Sequence, residues 1–255
     1  MPIHDWSRVD AGIFHHLHLV WIARLNTVLN EGLLPDRFYA LAEPVMGEVV
    51  PDVITIESEE GAQSADRAEV GLAREGGGES AVALAPGRVV VQELGPVDPL
   101  ERLARRVVVK DSLRDDRVVA VIELVSAANK SSREKRDRFV EKSVAILSRG
   151  IHALVVDVQP TTDWVHEGFH AWICRAYGTE SAALAPDRPL QAASYQALDG
   201  GTVRAHVVPL AIGDVLPGMP LFLLPRHFVR TPLEQTYAEA FASLPRRLRE
   251  TLALA

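Results

Sequence analysis

A single cysteine, Cys174, stands among 255 residues, so no intramolecular disulfide framework holds this chain together. Aromatic residues make up only 6%, and the interior must therefore be built mainly from aliphatic side chains. No uninterrupted apolar run is long enough to span a bilayer. The opening Met1-Pro2-Ile3-His4-Asp5-Trp6 lacks the basic and apolar segments of a secretory signal, and the chain reads as cytoplasmic, with no membrane partner. Phosphate-cradling Gly-x-x-x-x-Gly-Lys and the Gly-x-Ser-x-Gly of serine hydrolases are missing, and Cys174 has no recognisable catalytic setting. An excess of positive charge is also missing. The net charge of −7 argues against a broad electrostatic footprint for nucleic acid, although a local basic patch survives such a balance. Nothing in the sequence signals an oligomeric state.

What is present is the composition of a globular domain, 47% hydrophobic and 24% charged, long enough to bury a sizeable core. Asp10 is placed to cap a helix carrying Phe14, Leu17, Trp21 and Leu25 at helical spacing, closed by Gly32. Phe38 to Ala42 and Val49 to Ile56 read as strands, and from Glu57 to Arg88 the composition shifts to Gly, Ala, Ser and Glu. Further strands are expected at Val89 to Val91, Val107 to Val109 and Val118 to Val125, the last two joined by a polar turn that makes them antiparallel neighbours. Ser131 to Arg149 is helical in pattern with Gly150 as its C-cap, and Ile151 to Val158 is an apolar strand. A strand, helix and strand in that order imply a parallel pair with a right-handed crossover. A short helix around Trp164 to Tyr177, strands at Gln191 to Ala197 and Thr202 to Val208, and a helical tail broken at Pro245 complete the reading.

The run Val118-Val119-Ala120-Val121-Ile122-Glu123-Leu124-Val125-Ser126 carries one carboxylate in a nearly continuous hydrophobic strand. Such a charge is costly unless paired or holding a metal, and Asp52, behind Pro51 in an upstream strand, is the natural second ligand. The alternative is a structural network in which Glu123 and Asp52 bind backbone amides or an arginine such as Arg106. The stretch Ile122-Glu123-Leu124-Val125-Ser126-Ala127-Ala128-Asn129-Lys130 resembles the Glu-hydrophobic-hydrophobic-Ser-Pro-x-Asn-Lys signature of domain-of-unknown-function family 4058. Gly150 to Asp157 and Leu216 to Leu221 are similar to later segments of that family, and the Glu-then-Ser strand also resembles the Uma-type nucleases.

The resemblance implies an α/β fold with a restriction-endonuclease-like αβββαβ core and a mixed sheet. The core would occupy residues 1–190, with a mobile insertion at 58–88 and a C-terminal extension of the same domain at 191–255. It further implies a PD-(D/E)xK site in which Asp52 and Glu123, with Glu43 as a third carboxylate, hold Mg²⁺ or Mn²⁺ for phosphodiester cleavage. The chain departs from that pattern twice: Val125 stands where the lysine two residues after the glutamate belongs, and Ala127 replaces the proline. Catalytic charge must then come from Lys130 or Lys142, or be absent, leaving a non-catalytic interaction protein on the same fold. Lys142 is the better placed, because a helix crossing the sheet can lay its methylene stem beside Phe139 and Ile146 and bring the ammonium to the carboxylates.

Two other patterns compete. Lys135, Arg138, Lys142 and Arg149 fall within an arc of about 60° on a helical wheel, a stripe able to follow a phosphate backbone, or a solvated helix face. His166-Glu167-Gly168-Phe169-His170 matches the His-Glu-x-x-His of zinc hydrolases, with Glu180 or His206 as guesses for a third ligand, although Gly168 sits where a helix former is wanted. His15, His16 and His18 on the first helix are expected to be boundary residues rather than ligands.

Ser58 to Pro86 carry few large apolar groups and several glycines, so they bury little surface to offset the entropy of ordering. Limited proteolysis followed by mass spectrometry should cut there first and leave the two flanking halves associated. Earliest cuts between Val118 and Val158 would show the element assignment to be wrong.

Overall fold

A computed structural model describes residues 1–44, 104–181 and 184–253. The expected strands at Val49 to Ile56 and Val89 to Val91, the insertion at 58–88 and Asp52 lie outside the described residues. The chain divides into two compact units, Met1–Glu48 with Leu100–Ala255, and Val49–Pro99. All that follows concerns the first.

Its first element is helix α1, Ala11–Val28, capped as the sequence predicts by the Asp10 carboxylate accepting from the Gly12 amide at 2.7 Å. A wider turn, Leu29–Leu33, ends the helix and holds Gly32 at φ +105°, a conformation that favours glycine. Strands β1 (Phe38–Pro44), β2 (Ala104–Asp111) and β3 (Arg117–Leu124) form an antiparallel meander. Helix α2 (Arg133–Ser148) then leads to β4 (His152–Asp157), which pairs parallel to β3. Gly150, at φ +76°, follows the end of α2 as expected, while the helix starts two residues later than the expected Ser131, capped by Ser132. Helix α3 (Gly168–Ala176) precedes β5 (Leu190–Ala197) and β6 (Val203–Leu210), which complete a six-stranded mixed sheet in the order β1-β2-β3-β4-β5-β6. The element order through β4 is αβββαβ.

Strands β7 (Met219–Leu224) and β8 (His227–Thr231) make a separate hairpin that sequence reading missed. Pro220 lies inside β7, and a proline inside an apolar run ordinarily argues against a strand. It is tolerated because β7 has only one strand partner, and the Pro220 carbonyl still accepts a hydrogen bond from Ser194. Helices α4 (Leu233–Ala242) and α5 (Arg246–Ala253) are separated at Pro245 as predicted. No helix among the described residues is long and apolar enough to cross a membrane.

The sheet is covered on both faces, which explains why β3 and β4 read as continuous apolar runs. On one side α1 and α4 pack Phe14, Leu17, Trp21, Tyr237 and Phe241 against Ile122, Leu124, Leu154 and Val156. The Trp21 indole donates to Thr236 Oγ1 at 3.0 Å, tying α1 to α4. His18, expected at the boundary, is instead buried: its Nε2 donates to the Leu124 carbonyl at 2.9 Å and fixes α1 to the end of β3. On the other side α2 and α3 pack Phe139, Ile146, Phe169 and Ile173 against Val121, Val125, Val155 and Tyr195.

His152, at the start of β4, is buried and accepts the Ala197 amide on Nδ1 at 3.0 Å, so it is held neutral. Burial lowers its pKa from 6.5 to about 4. Between those values the unfolded chain takes up a proton that the folded one refuses, so stability falls as pH drops through that window. One such group contributes a slope of at most about 1.4 kcal/mol per pH unit. Denaturant titrations across the window should show this acid loss, and His152→Gln should flatten it; an unchanged slope would mean that His152 is not the group responsible.

Candidate functional site

The register sets one row of residues across the whole sheet: Glu43, Arg106, Glu123, Val155, Ala193 and Val207, one from each strand. Directly paired residues share a face, with Cβ atoms about 5 Å apart, so the row alternates in charge over β1, β2 and β3 and is apolar over β4, β5 and β6. The face is the one that α2 covers.

Glu123 is 4% exposed, and its Oε2 lies 2.9 Å from Lys142 Nζ, reaching across from α2. The Lys142 ammonium also stands 5.3 Å from the Phe139 ring centroid, so its stem lies along apolar surface as the sequence suggested. The other carboxylate oxygen, Oε1, is buried without a hydrogen-bond partner and stands 4.0 Å from Arg106 Nη1. Both expectations for Glu123, a lysine from the helix and the arginine of a structural network, thus describe contacts it makes. Glu43 Oε1 is 3.3 Å from Lys110 Nζ. It stands two strands away from Glu123, roughly 10 Å at ordinary strand spacing, with Arg106 between them. This register does not bring Glu43 to Glu123 as a third ligand on the same ion. Among the described residues, three cations, Arg106, Lys110 and Lys142, face the carboxylates of Glu43 and Glu123 here.

Lys130 is committed elsewhere. Its ammonium is 2.8 Å from Asp157 Oδ1 and donates to the carbonyls of Gln159 at 2.8 Å and Pro160 at 3.2 Å. With three donors and three acceptors, nothing is left for a phosphate. Burial pushes the Asp157 carboxyl up, against the pull of Lys130. Ser126 and Asn129 cap the same turn reciprocally, Asn129 Oδ1 accepting from the Ser126 amide and hydroxyl at 2.9 Å each. The Ser-x-x-Asn-Lys part of the sequence signature therefore acts in holding a loop, and only Glu123 faces α2. The partner of Lys130 was missed because an aspartate closing a strand carries no local sign of the lysine it will meet.

The His-Glu-x-x-His match does not fold as a ligand face. His166 precedes α3, Gly168 has φ +77°, and the two histidines are therefore not one helical turn apart. Glu167 pairs with Arg175 instead. His170 Nδ1 meets the Tyr195 hydroxyl at 3.0 Å, and Cys174 Sγ lies 3.5 Å from His170 Nε2. Burial lowers the His170 pKa and raises that of Cys174, so this pair rests as neutral imidazole and thiol rather than as an activated nucleophile. A Cβ on Gly168 would come within 2.8 Å of the Gln191 side chain, whose oxygen, with the amide oriented to suit, accepts from the Phe169 and His170 amides. The glycine thus serves the start of α3. Of the basic stripe, Lys135 and Arg138 are exposed, Arg138 bonds Glu134, and Arg149 lies beyond the helix, so solvated face describes all but Lys142.

Among the described residues no group of three or more His, Cys, Asp or Glu is placed to hold a metal ion. Glu123 Oε1 is nevertheless an unpartnered hard oxygen of the kind Mg²⁺ takes, and it fits the role of one ligand. No family model matches the chain, and no curated protein or solved structure matches it either.

Lys130 and Lys142 are separable by stability. Lys130→Met leaves a buried aspartate unpaired and should cost about 3–5 kcal/mol in chemical denaturation. Lys142→Ala leaves Arg106 beside Glu123 and should cost no more than about 2 kcal/mol. Equal losses would contradict the division between a structural and an accessible lysine.

Proposed function

We propose that this chain is a divalent-metal-dependent, nuclease-like phosphodiesterase on a restriction-endonuclease-like core. The observation that carries the reading is the 2.9 Å contact between Lys142 and Glu123. In the order αβββαβ, a carboxylate on β3 and an ammonium on α2 meet on one sheet face, which restores by another route the charge that Val125 cannot supply. Glu123 is one ligand of Mg²⁺ or Mn²⁺, and Asp52, outside the described residues, is the second. The ion, when bound, supplies polarisation of a phosphate and a lowered pKa for an attacking water. Lys142 steadies negative charge on the phosphate beside Glu123, and burial of Glu123 keeps its carboxylate fixed in direction.

A second reading, a non-catalytic interaction protein on the same fold, draws on Arg106. An arginine directly opposite Glu123 holds positive charge close to where an ion would sit, and two such charges repel.

Metal binding and activity separate the two. Mn²⁺ should raise the melting temperature of the native protein by mass action, Glu123→Gln should abolish the rise, and Lys142→Ala should lower nicking of plasmid DNA by about 10²-fold without unfolding. A metal shift without activity would favour the non-catalytic reading, and an identical shift in native protein and Glu123→Gln would overturn the site itself.

A further inference from the structure

Arg106 is 9% exposed, and among the described residues its guanidinium makes no hydrogen bond; its one ion-pair contact is Glu123 Oε1 at 4.0 Å. A buried guanidinium with five donors is costly to leave so poorly matched, since burial removes the water that would otherwise take those protons. Its geometry, a planar fork, suits two oxygens of one tetrahedral oxyanion. The surroundings suit one too. On the far side of Glu123, Lys142 brings a second cation, and its side chain retains 25% exposure.

We infer that Arg106 and Lys142 form an oxyanion subsite that grips the phosphate of a phosphodiester beside Glu123. The inference rests on the phosphodiesterase reading for the ester to which the oxyanion belongs, but the grip itself needs no metal. Arg106 supplies two parallel donors and Lys142 a third from the helix side. Glu123, which accepts from Lys142, orients that ammonium and also repels an anion that is not held by both cations.

The test is a titration in EDTA at constant ionic strength, with inorganic phosphate and a dinucleoside monophosphate as probes and melting temperature as the readout. Both probes should stabilise the native protein saturably. Arg106→Gln and Lys142→Gln should each weaken binding at least about tenfold, while Lys135→Gln, on the exposed face of the same helix, should leave it unchanged. Arg106→Lys keeps the charge without the fork and should give intermediate binding, which decides the matter if Arg106→Gln does not fold. No saturable effect, or an effect indifferent to Arg106, overturns the subsite. Binding of phosphate but not of the diester overturns the assignment to phosphodiesters. Because metal is absent throughout, failure here is distinct from failure of the metal site in the Mn²⁺ experiment.

Discussion

The buried pair of Lys130 and Asp157 fixes the geometry on which the rest of this molecule depends. Taking both charges out of water is expensive, and the cost is offset only where every donor finds an acceptor. Lys130 meets that condition by closing on Asp157 and on the carbonyls of Gln159 and Pro160, while Thr162 Oγ1 donates back to the Lys130 carbonyl at 2.9 Å. The result joins the loop leaving β3 to the loop leaving β4 at the point where these two parallel strands end. Helix α2 begins at Arg133, close behind this anchor, so the angle at which it crosses the sheet follows from it. The meeting of Lys142 with Glu123 is inherited from a contact between two other residues.

Electrostatics over β1 to β3 follow a different logic. Glu43, Arg106 and Glu123 alternate in sign along one cross-strand row, and neighbouring strands place opposite charges side by side. This arrangement sets counter-charges beside a carboxylate in a strand otherwise made of valine, isoleucine and leucine. It also explains why the same row turns apolar at Val155, where α2 and α3 close over the sheet and no counter-charge is within reach.

The elements of the fold were legible wherever local chemistry decides them. Asp10, Gly150 and Pro245 mark boundaries that the structure keeps, because capping and proline geometry are short-range. The hairpin of β7 and β8 was not legible, since Pro220 hides a strand whose single partner lies just beyond a turn. At the site, the cost of a charge among valines drew attention to Glu123, and helix geometry drew it to Lys142. The role of Lys130 as a structural group, and of Asp157 as its partner, could not be read, because it depends on which loops meet in space. The zinc motif shows the converse: residue identities matched, but a glycine with positive φ broke the helix that the spacing requires.

One feature of the β1 and β2 pairing bears on how this architecture tolerates growth. Pro44 and Ala104 are register partners on adjacent strands, so the chain leaves the sheet and re-enters it at neighbouring points. The closure entropy of a connection grows only slowly with its length, and ends held side by side by a sheet accept a short turn or a long segment at similar cost. Strands β1 and β2 thus hold their register through their own ladder, whatever length of chain joins them.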